Sequence, residues 1–480
     1  MLFNSIEFLL FFLPLCLLVW YNVKKVNLRL FLLICFSCFF YGYLDYRFVG
    51  LLLLSVTIDY FCGANVFKYV DTDRERARKW MIISVVSNLT ILGFFKYFNF
   101  FVDSIFSAFP IEGFISKPTL RVVLPAGISF YVFESMTYSI DIYRKKSRAA
   151  ESFLHLAVFI SMFPRLIAGP IVKYNDIEKQ LRNISDKPNY SQMQMGLFMF
   201  TLGLARKLFI ADYFAVWASA FFDNKIPSQF IVSWAGVLSY AFQIYFDFSA
   251  YSEMAVGLGK MLGFDFPQNF NSPYKANSFS DFWRRWHISL SQFLRDYLYI
   301  PLGGNRNGPL VMYSSLMITM LLGGLWHGAS WMFVIWGSLH GMYLIIEKLL
   351  ERKIALDKIP LYTYVVFIGV CIAWVFFRSD DLGFAFHTIK SCLMLNGIEH
   401  FSGETYSSFG LQVPEFIKQT GGVKHLFAIL LCYIFTRIAP NVFQLKEYSH
   451  VKFVAVLAAF LLFICILNVE KPSPFIYFQF

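Results

Sequence analysis

Two histidines stand in a stretch of sequence that carries no formal charge. Residues 321–341 read LLGGLWHGASWMFVIWGSLHG, with His327 and His340 thirteen positions apart. A neutral imidazole takes up and returns a proton near neutral pH, so it is the natural base for activating a hydroxyl. Gly323, Gly324 and Gly328 flank His327 and leave a thin surround that a substrate can approach closely. His340, beside Gly341, could equally do no more than bond across helices.

A third histidine, His287, lies in DFWRRWHISLSQFLRDYLYIPLGGNRNG. Ser280 is suited to cap a helix beginning at Asp281. Such a helix puts Arg284, His287 and Ser291 on one side. Arg284, Arg285, Arg295 and Arg306 surround a glycine-rich turn, a combination suited to phosphates. A basic hairpin lying on lipid headgroups fits the same residues about as well.

Asp247 and Glu253, in QIYFDFSAYSEMAVGLGKMLG, are the acidic residues of another apolar block. Ionisable groups at a helix centre in a membrane cost about 2.5–3.5 kcal/mol on insertion scales, so each needs a partner or a task. Spaced six apart, the two share a face only if the helix breaks between them. The run GLGKMLG has the wrong spacing and no preceding strand for a nucleotide fingerprint. No HExxH and no dense Cys/Asp/Glu cluster occurs, so no metal site is expected. The Cys35–Cys38 CxxC lies inside an apolar block without a second pair, which argues against zinc or redox chemistry. GxSxG is absent, which disfavours a serine-hydrolase elbow.

The elements that position these residues must be membrane helices. Of 480 residues 57% are hydrophobic, 20% aromatic and 15% charged, against about 25% charged in soluble chains. Apolar blocks recur from Leu2 to Leu467. The fold expected is all-α and polytopic, with about 11–13 crossings plus re-entrant or interfacial helices. The amino terminus lacks the basic region and cleavage pattern of a signal peptide and is expected to remain as the first helix.

Basic residues alternate along the first five loops. Residues 22–29 hold three, 44–47 one, 68–79 five, 102–120 one and 144–148 four. That pattern makes the odd loops cytoplasmic and the amino terminus external. The net charge of +11 has the same origin and does not call for a nucleic-acid partner. Residues 172–192 read as a cytoplasmic loop and 379–424 as an extramembrane loop, with LGFAFHTIKSCL an amphipathic helix at the interface. We divide this single membrane domain, 1–480, into an amino-terminal bundle (1–150), a core with RRWH and WHG (151–350) and carboxy-terminal helices (351–480).

Several of these segments together resemble the membrane-bound O-acyltransferase family, in its bacterial branch that includes alginate O-acetyltransferases. They are MLFNSIEFLLFF, LPAGISFYVFESMTYSIDIYR, FPRLIAGPI, QIYFDFSAYSEMAVGLGKMLGF, DFWRRWHISLSQFLRDYLYIPLGGNR and LLGGLWHG. The branch usually reads DFSGYSD where this chain has DFSAYSE, which substitutes Ala250 and Glu253 conservatively. The resemblance implies helices around a central tunnel and transfer of an acyl group, most often acetyl, from a cytoplasmic thioester such as acetyl-CoA to a hydroxyl acceptor. It implies that His327, in WHG, is catalytic and that His287, in RRWH, is the second polar position of the tunnel. Donor contacts are then expected from Arg284, Arg285, Arg295, Arg306, Asp247 and His340. The implied acceptor is an exported or cell-wall polysaccharide, reached through an exported SGNH-type acetyltransferase, in the inner or plasma membrane. No metal and no cofactor beyond the donor substrate is expected. A transporter or flippase for a polysaccharide precursor is the rival reading and predicts internal repeats, of which none is detectable. D-alanyl transfer to teichoic acid is the other alternative.

Overall fold

The computed structural model describes residues 1–109, 121–184, 188–226, 228–352, 354–356, 359–398, 423–469 and 473–476. Among them every regular element is a helix. Six helices are long and apolar enough to cross a membrane: Val26–Asp45, Arg47–Tyr69, Arg74–Ala108, Tyr190–Asp223, Gly308–His327 and Trp331–Leu350. A pair bent by 56°, Lys424–Ile438 with Val442–Tyr448, has the composition of a broken span or a re-entrant loop, and Glu7–Asn22, Tyr362–Arg378 and Lys452–Leu467 are shorter apolar helices. The chain is an all-α, multi-pass membrane protein. Most of the expected loop 379–424 (residues 399–422), residues 110–120 and residues 185–187 lie outside the described residues. The amphipathic helix expected within the first of these is present as Leu382–Cys392. It buries Phe384, Ala385 and Thr388 and exposes Leu382 and Phe386.

The chain divides into two compact units, one of residues 1–205, 248–269 and 442–480, the other of 206–247 and 270–441. In the first, polar groups inside spans are matched across helices. Asp59 accepts hydrogen bonds from Ser84 Oγ at 2.6 Å and Asn88 Nδ2 at 2.9 Å, and Ser55 bonds Asn88. Glu134 pairs with Arg165 of the FPRLIAGP segment and accepts the Val172 N–H at 3.1 Å. Bonded in this way, these residues hold helices together where apolar packing gives no preference over lipid. Small residues do the rest. A Cβ on Gly196 would stand 2.5 Å from the Gly257 carbonyl oxygen, and one on Gly203 would stand 2.9 Å from that of Ala250.

The second unit holds the three histidines, Asp247 and the four arginines singled out for chemistry, while Glu253 falls in the first. Its centre is a helical hairpin, Gly308–His327 and Trp331–Leu350, joined by only Gly328, Ala329 and Ser330. Ser330 Oγ accepts the Met332 N–H and starts the second helix. The two backbones touch: a Cβ on Gly324 would lie 2.2 Å from the Phe333 carbonyl oxygen, and one on Gly337 would lie 2.3 Å from that of Met320.

Candidate functional site

His327 is the last residue of its helix and 3% exposed. The glycines around it are required by packing, since any side chain at 324 or 337 would separate the hairpin. A Cβ on Gly328 would stand 2.0 Å from the Phe333 ring. Aromatic rings enclose the imidazole. Ring centres of Trp326, Trp336 and Phe377 lie 4.9, 5.0 and 5.3 Å away, all steeply inclined to it. Phe377 comes from the Tyr362–Arg378 helix, so three helices build this surround.

His287 lies 6.4 Å from His327 between ring centres and is fully buried. The continuous helix expected through Arg284, His287 and Ser291 does not form. The chain makes Phe279–Arg285, breaks, and restarts at Ile288–Leu294, with His287 between them at φ 43° and ψ 55°. The left-handed region costs an L-residue with a Cβ roughly 1–2 kcal/mol. Here it turns the imidazole inward, between Phe270 and Trp326. Burial lowers its pKa to about 3, so the ring is neutral at physiological pH and offers one donor and one acceptor.

His340 is also fully buried, on the Trp331–Leu350 helix. Trp336 connects it to His327: the indole centre is 4.8 Å from His340 and 5.0 Å from His327. The three histidines are therefore brought into one aromatic box.

The arginines are not part of that box. Arg285 donates to Asp281 at 2.8 Å and to the Asn271 carbonyl oxygen at 3.3 Å. Arg295 is exposed and pairs with Asp296. Arg284 and Arg306 are exposed and make no ion pair among the described residues. Asp247 is committed elsewhere, in a buried cluster where Lys207 Nζ lies 2.6 Å from Asp247 and 2.8 Å from Asp212. The helix carrying Asp247 and Glu253 runs unbroken from Phe230 to Met261. Among the described residues no group of three or more His, Cys, Asp or Glu is placed to hold a metal ion.

Two features escape sequence reasoning. One is Glu347, fully buried two helical turns beyond His340. It accepts the Phe279 N–H at 2.7 Å, the Ser280 N–H at 2.9 Å and the Tyr362 hydroxyl at 2.9 Å. Ser280 is therefore not the helix cap. Ser278 is, accepting the Asp281 N–H at 2.9 Å, and Glu347 satisfies the two N–H groups before it, where a helix favours negative charge. The RRWH segment is thus tied directly to the helix of His340. The other is a basic group at Lys275, whose ammonium burial lowers, with Arg285 and Arg437 nearby adding to the shift. Lys275 donates to the Ala439 carbonyl oxygen and Arg437 to that of Tyr274. Three clustered cations of this kind are suited to an anionic ligand.

Residues 129–379 match the sequence profile of MBOAT, the membrane-bound O-acyltransferase family. The chain is 43% identical to a probable alginate O-acetylase AlgI of Azotobacter vinelandii, over 80% of this chain and 76% of that protein. It is 37% identical to the Pseudomonas putida protein of the same description over the full length of both. It is also 37% identical to the peptidoglycan O-acetyltransferase of Helicobacter pylori, over 84% of this chain and 82% of that one. The buried histidine box lies inside the matched segment, and on this evidence the chain belongs to the membrane-bound O-acyltransferase family.

Proposed function

We propose that this acyltransferase is an O-acetyltransferase that moves an acetyl group from cytoplasmic acetyl-CoA to a hydroxyl acceptor, for modification of an exported or cell-wall polysaccharide. The observation that carries this reading is the enclosure of His327 and His287 in one buried aromatic box. Relatives described as alginate O-acetylase and peptidoglycan O-acetyltransferase support the acetyl group and the polysaccharide.

In this mechanism His327 takes the proton of the acceptor hydroxyl as its oxygen attacks the thioester carbon. The C–O bond forms, the C–S bond breaks, and the proton passes from His327 to the leaving thiolate, giving ester and free CoA. His287, neutral and next to it, fixes the orientation of the reacting groups. Arg284, Arg285, Arg295 and Arg306, together with Lys275 and Arg437, provide positive charge for the donor's phosphates. Asp247 serves this site as the buried partner of Lys207 and does not touch the donor. No cofactor beyond the donor substrate is needed. The alternating loop charges support an external amino terminus in the inner or plasma membrane. An exported SGNH-type acetyltransferase is the proposed relay to the polysaccharide.

The test is release of free CoA and transfer of label from radiolabelled acetyl-CoA by purified protein in nanodiscs, with exported glycans and proteins added. Wild type is expected to turn over and folded His327→Ala to be inactive. Equal activity in both would remove His327 from the chemistry. Acetyl-CoA left intact by wild type, alongside movement of a labelled polysaccharide precursor across the bilayer, would favour a flippase.

A further inference from the structure

Buried hydrogen-bonding groups in proteins are nearly always paired, and those that are not call for an explanation. Several rings of the histidine box depart from this rule, Trp286 and Trp374 among them, and on one side three such rings meet. Neither ring nitrogen of His340 has a hydrogen-bond partner among the described residues, nor do the indole nitrogens of Trp283 and Trp336. These three rings form a closed triangle. Centres are 5.1 Å apart for Trp283 and His340, 4.8 Å for Trp336 and His340, and 5.8 Å for Trp283 and Trp336. All three pairs meet at 67–78°, edge to face.

The imbalance has a sign. An indole N–H only donates, and a neutral imidazole has one donor and one acceptor. The triangle therefore holds three donors against a single acceptor. If filling space were its only task, phenylalanine at all three positions would fill it without stranding polar groups. A complementary ligand brings acceptor oxygens, and Trp336 borders both His340 and His327, so that ligand lies next to the candidate base.

We propose that Trp283, Trp336 and His340 form an oxyanion subsite for the carbonyl oxygen of the acyl donor. This inference rests on the acetyltransferase reading above. As the acceptor oxygen bonds to the acyl carbon, the carbonyl electron pair moves onto oxygen, and the N–H groups hold the resulting negative charge. When the intermediate collapses, that pair re-forms the C=O bond and the C–S bond breaks. The proton removed by His327 leaves on the CoA sulfur. Donors fixed before the reaction, among apolar rings, stabilise the transition state more than the bound thioester.

The experiment compares acetyl-CoA turnover and binding of tritiated CoA in nanodisc-held wild type, Trp336→Phe, Trp283→Phe, His340→Phe and His340→Asn. Each phenylalanine variant keeps an aromatic ring and removes the donor. The expected result is a fall in kcat of about tenfold or more for each, by analogy with loss of one oxyanion donor. KM and CoA affinity should stay within about twofold, because the lost interaction belongs to the transition state. His340→Asn, which restores a donor, should recover part of the loss. If Trp336→Phe or Trp283→Phe fails to fold, judged by monodispersity, the other carries the test with the His340 pair. Unchanged kcat in the folded variants, with His327→Ala inactive, would overturn the subsite and leave these donors to bound water. A rise in KM alone would overturn it too, since the donors would then hold only the ground state. Wild type that neither binds CoA nor turns over acetyl-CoA would instead sink the acetyltransferase reading, an outcome distinguishable because it precedes any substitution.

Discussion

Replacing Glu347 with alanine would remove three hydrogen bonds at once, two of them to backbone N–H groups at the start of the segment leading to His287. Hydrogen bonds to a charged group contribute about 1.5–3 kcal/mol each, but the three share one carboxylate and do not add fully. Ser278 still caps the Asp281 N–H in the variant, so the helix itself survives. Its attachment to the Trp331–Leu350 helix is what weakens, by about 3–4 kcal/mol, from two backbone donors left unsatisfied without full additivity. At about 1.4 kcal/mol per tenfold, release of Phe279–Arg285 becomes roughly a hundred- to a thousandfold more frequent. Hydrogen exchange by mass spectrometry reads this directly, as faster exchange at the Phe279 and Ser280 amides. Turnover should fall with it, because His287 lies one residue past Trp286 on the loosened segment. Glu347→Gln keeps one acceptor oxygen and should lie between the two. Unchanged protection at both amides in Glu347→Ala would refute the reasoning, whatever the activity.

Gly337→Ala places a Cβ 2.3 Å from the Met320 carbonyl oxygen and should destabilise the hairpin by about 1–3 kcal/mol as an overpacked site, measured by thermal unfolding in detergent. Lengthening the side chain to valine should abolish activity. His287 has a folded pKa of about 3 against 6.5 for an ordinary histidine. The unfolded chain therefore binds a proton that the folded one refuses, and stability is lost as pH falls from 6.5 towards 3. The unfolding temperature of His287→Gln should decline less over that window than wild type, and parallel curves would count against a buried neutral imidazole. Arg284→Gln with Arg306→Gln should raise KM for acetyl-CoA several-fold at low salt and leave kcat unchanged. The difference should shrink near 1 M salt, where the screening length is about 3 Å. A salt-independent KM would remove these two exposed arginines from donor binding.

The apolar, glycine-rich character of 321–341 was legible, though not the turn inside it at 328–330, because charge-free length and recurrent glycines are both written locally. The break at His287 was not. The spacing of Arg284, His287 and Ser291 satisfies a continuous helix, and a left-handed histidine leaves no trace in composition. NSFSDF offers two serines as caps, and the choice between Ser278 and Ser280 is made by Glu347, 67 residues further on from Ser280. Glu347 itself follows the apolar block in EKLLERK, where nothing local marks it as buried. The pairing of Asp247 with Lys207, 40 residues earlier, is likewise absent from any local pattern. The choice of cap is a long-range pairing that overrode a sound local pattern.

The three-residue connection between the Gly308–His327 and Trp331–Leu350 helices also bears on how this protein is made. With only three residues between them, the two apolar helices are expected to enter the bilayer together as a paired hairpin. The contact of Gly324 with Gly337 is then formed during synthesis, before the Tyr362–Arg378 helix that contributes Phe377 has emerged. His327 therefore acquires the wall made by Trp336 first and the wall made by Phe377 last. A ribosome-stalled chain ending after the hairpin would already hold the glycine contact, so a fault in the later helix would leave a correctly paired hairpin with an open histidine.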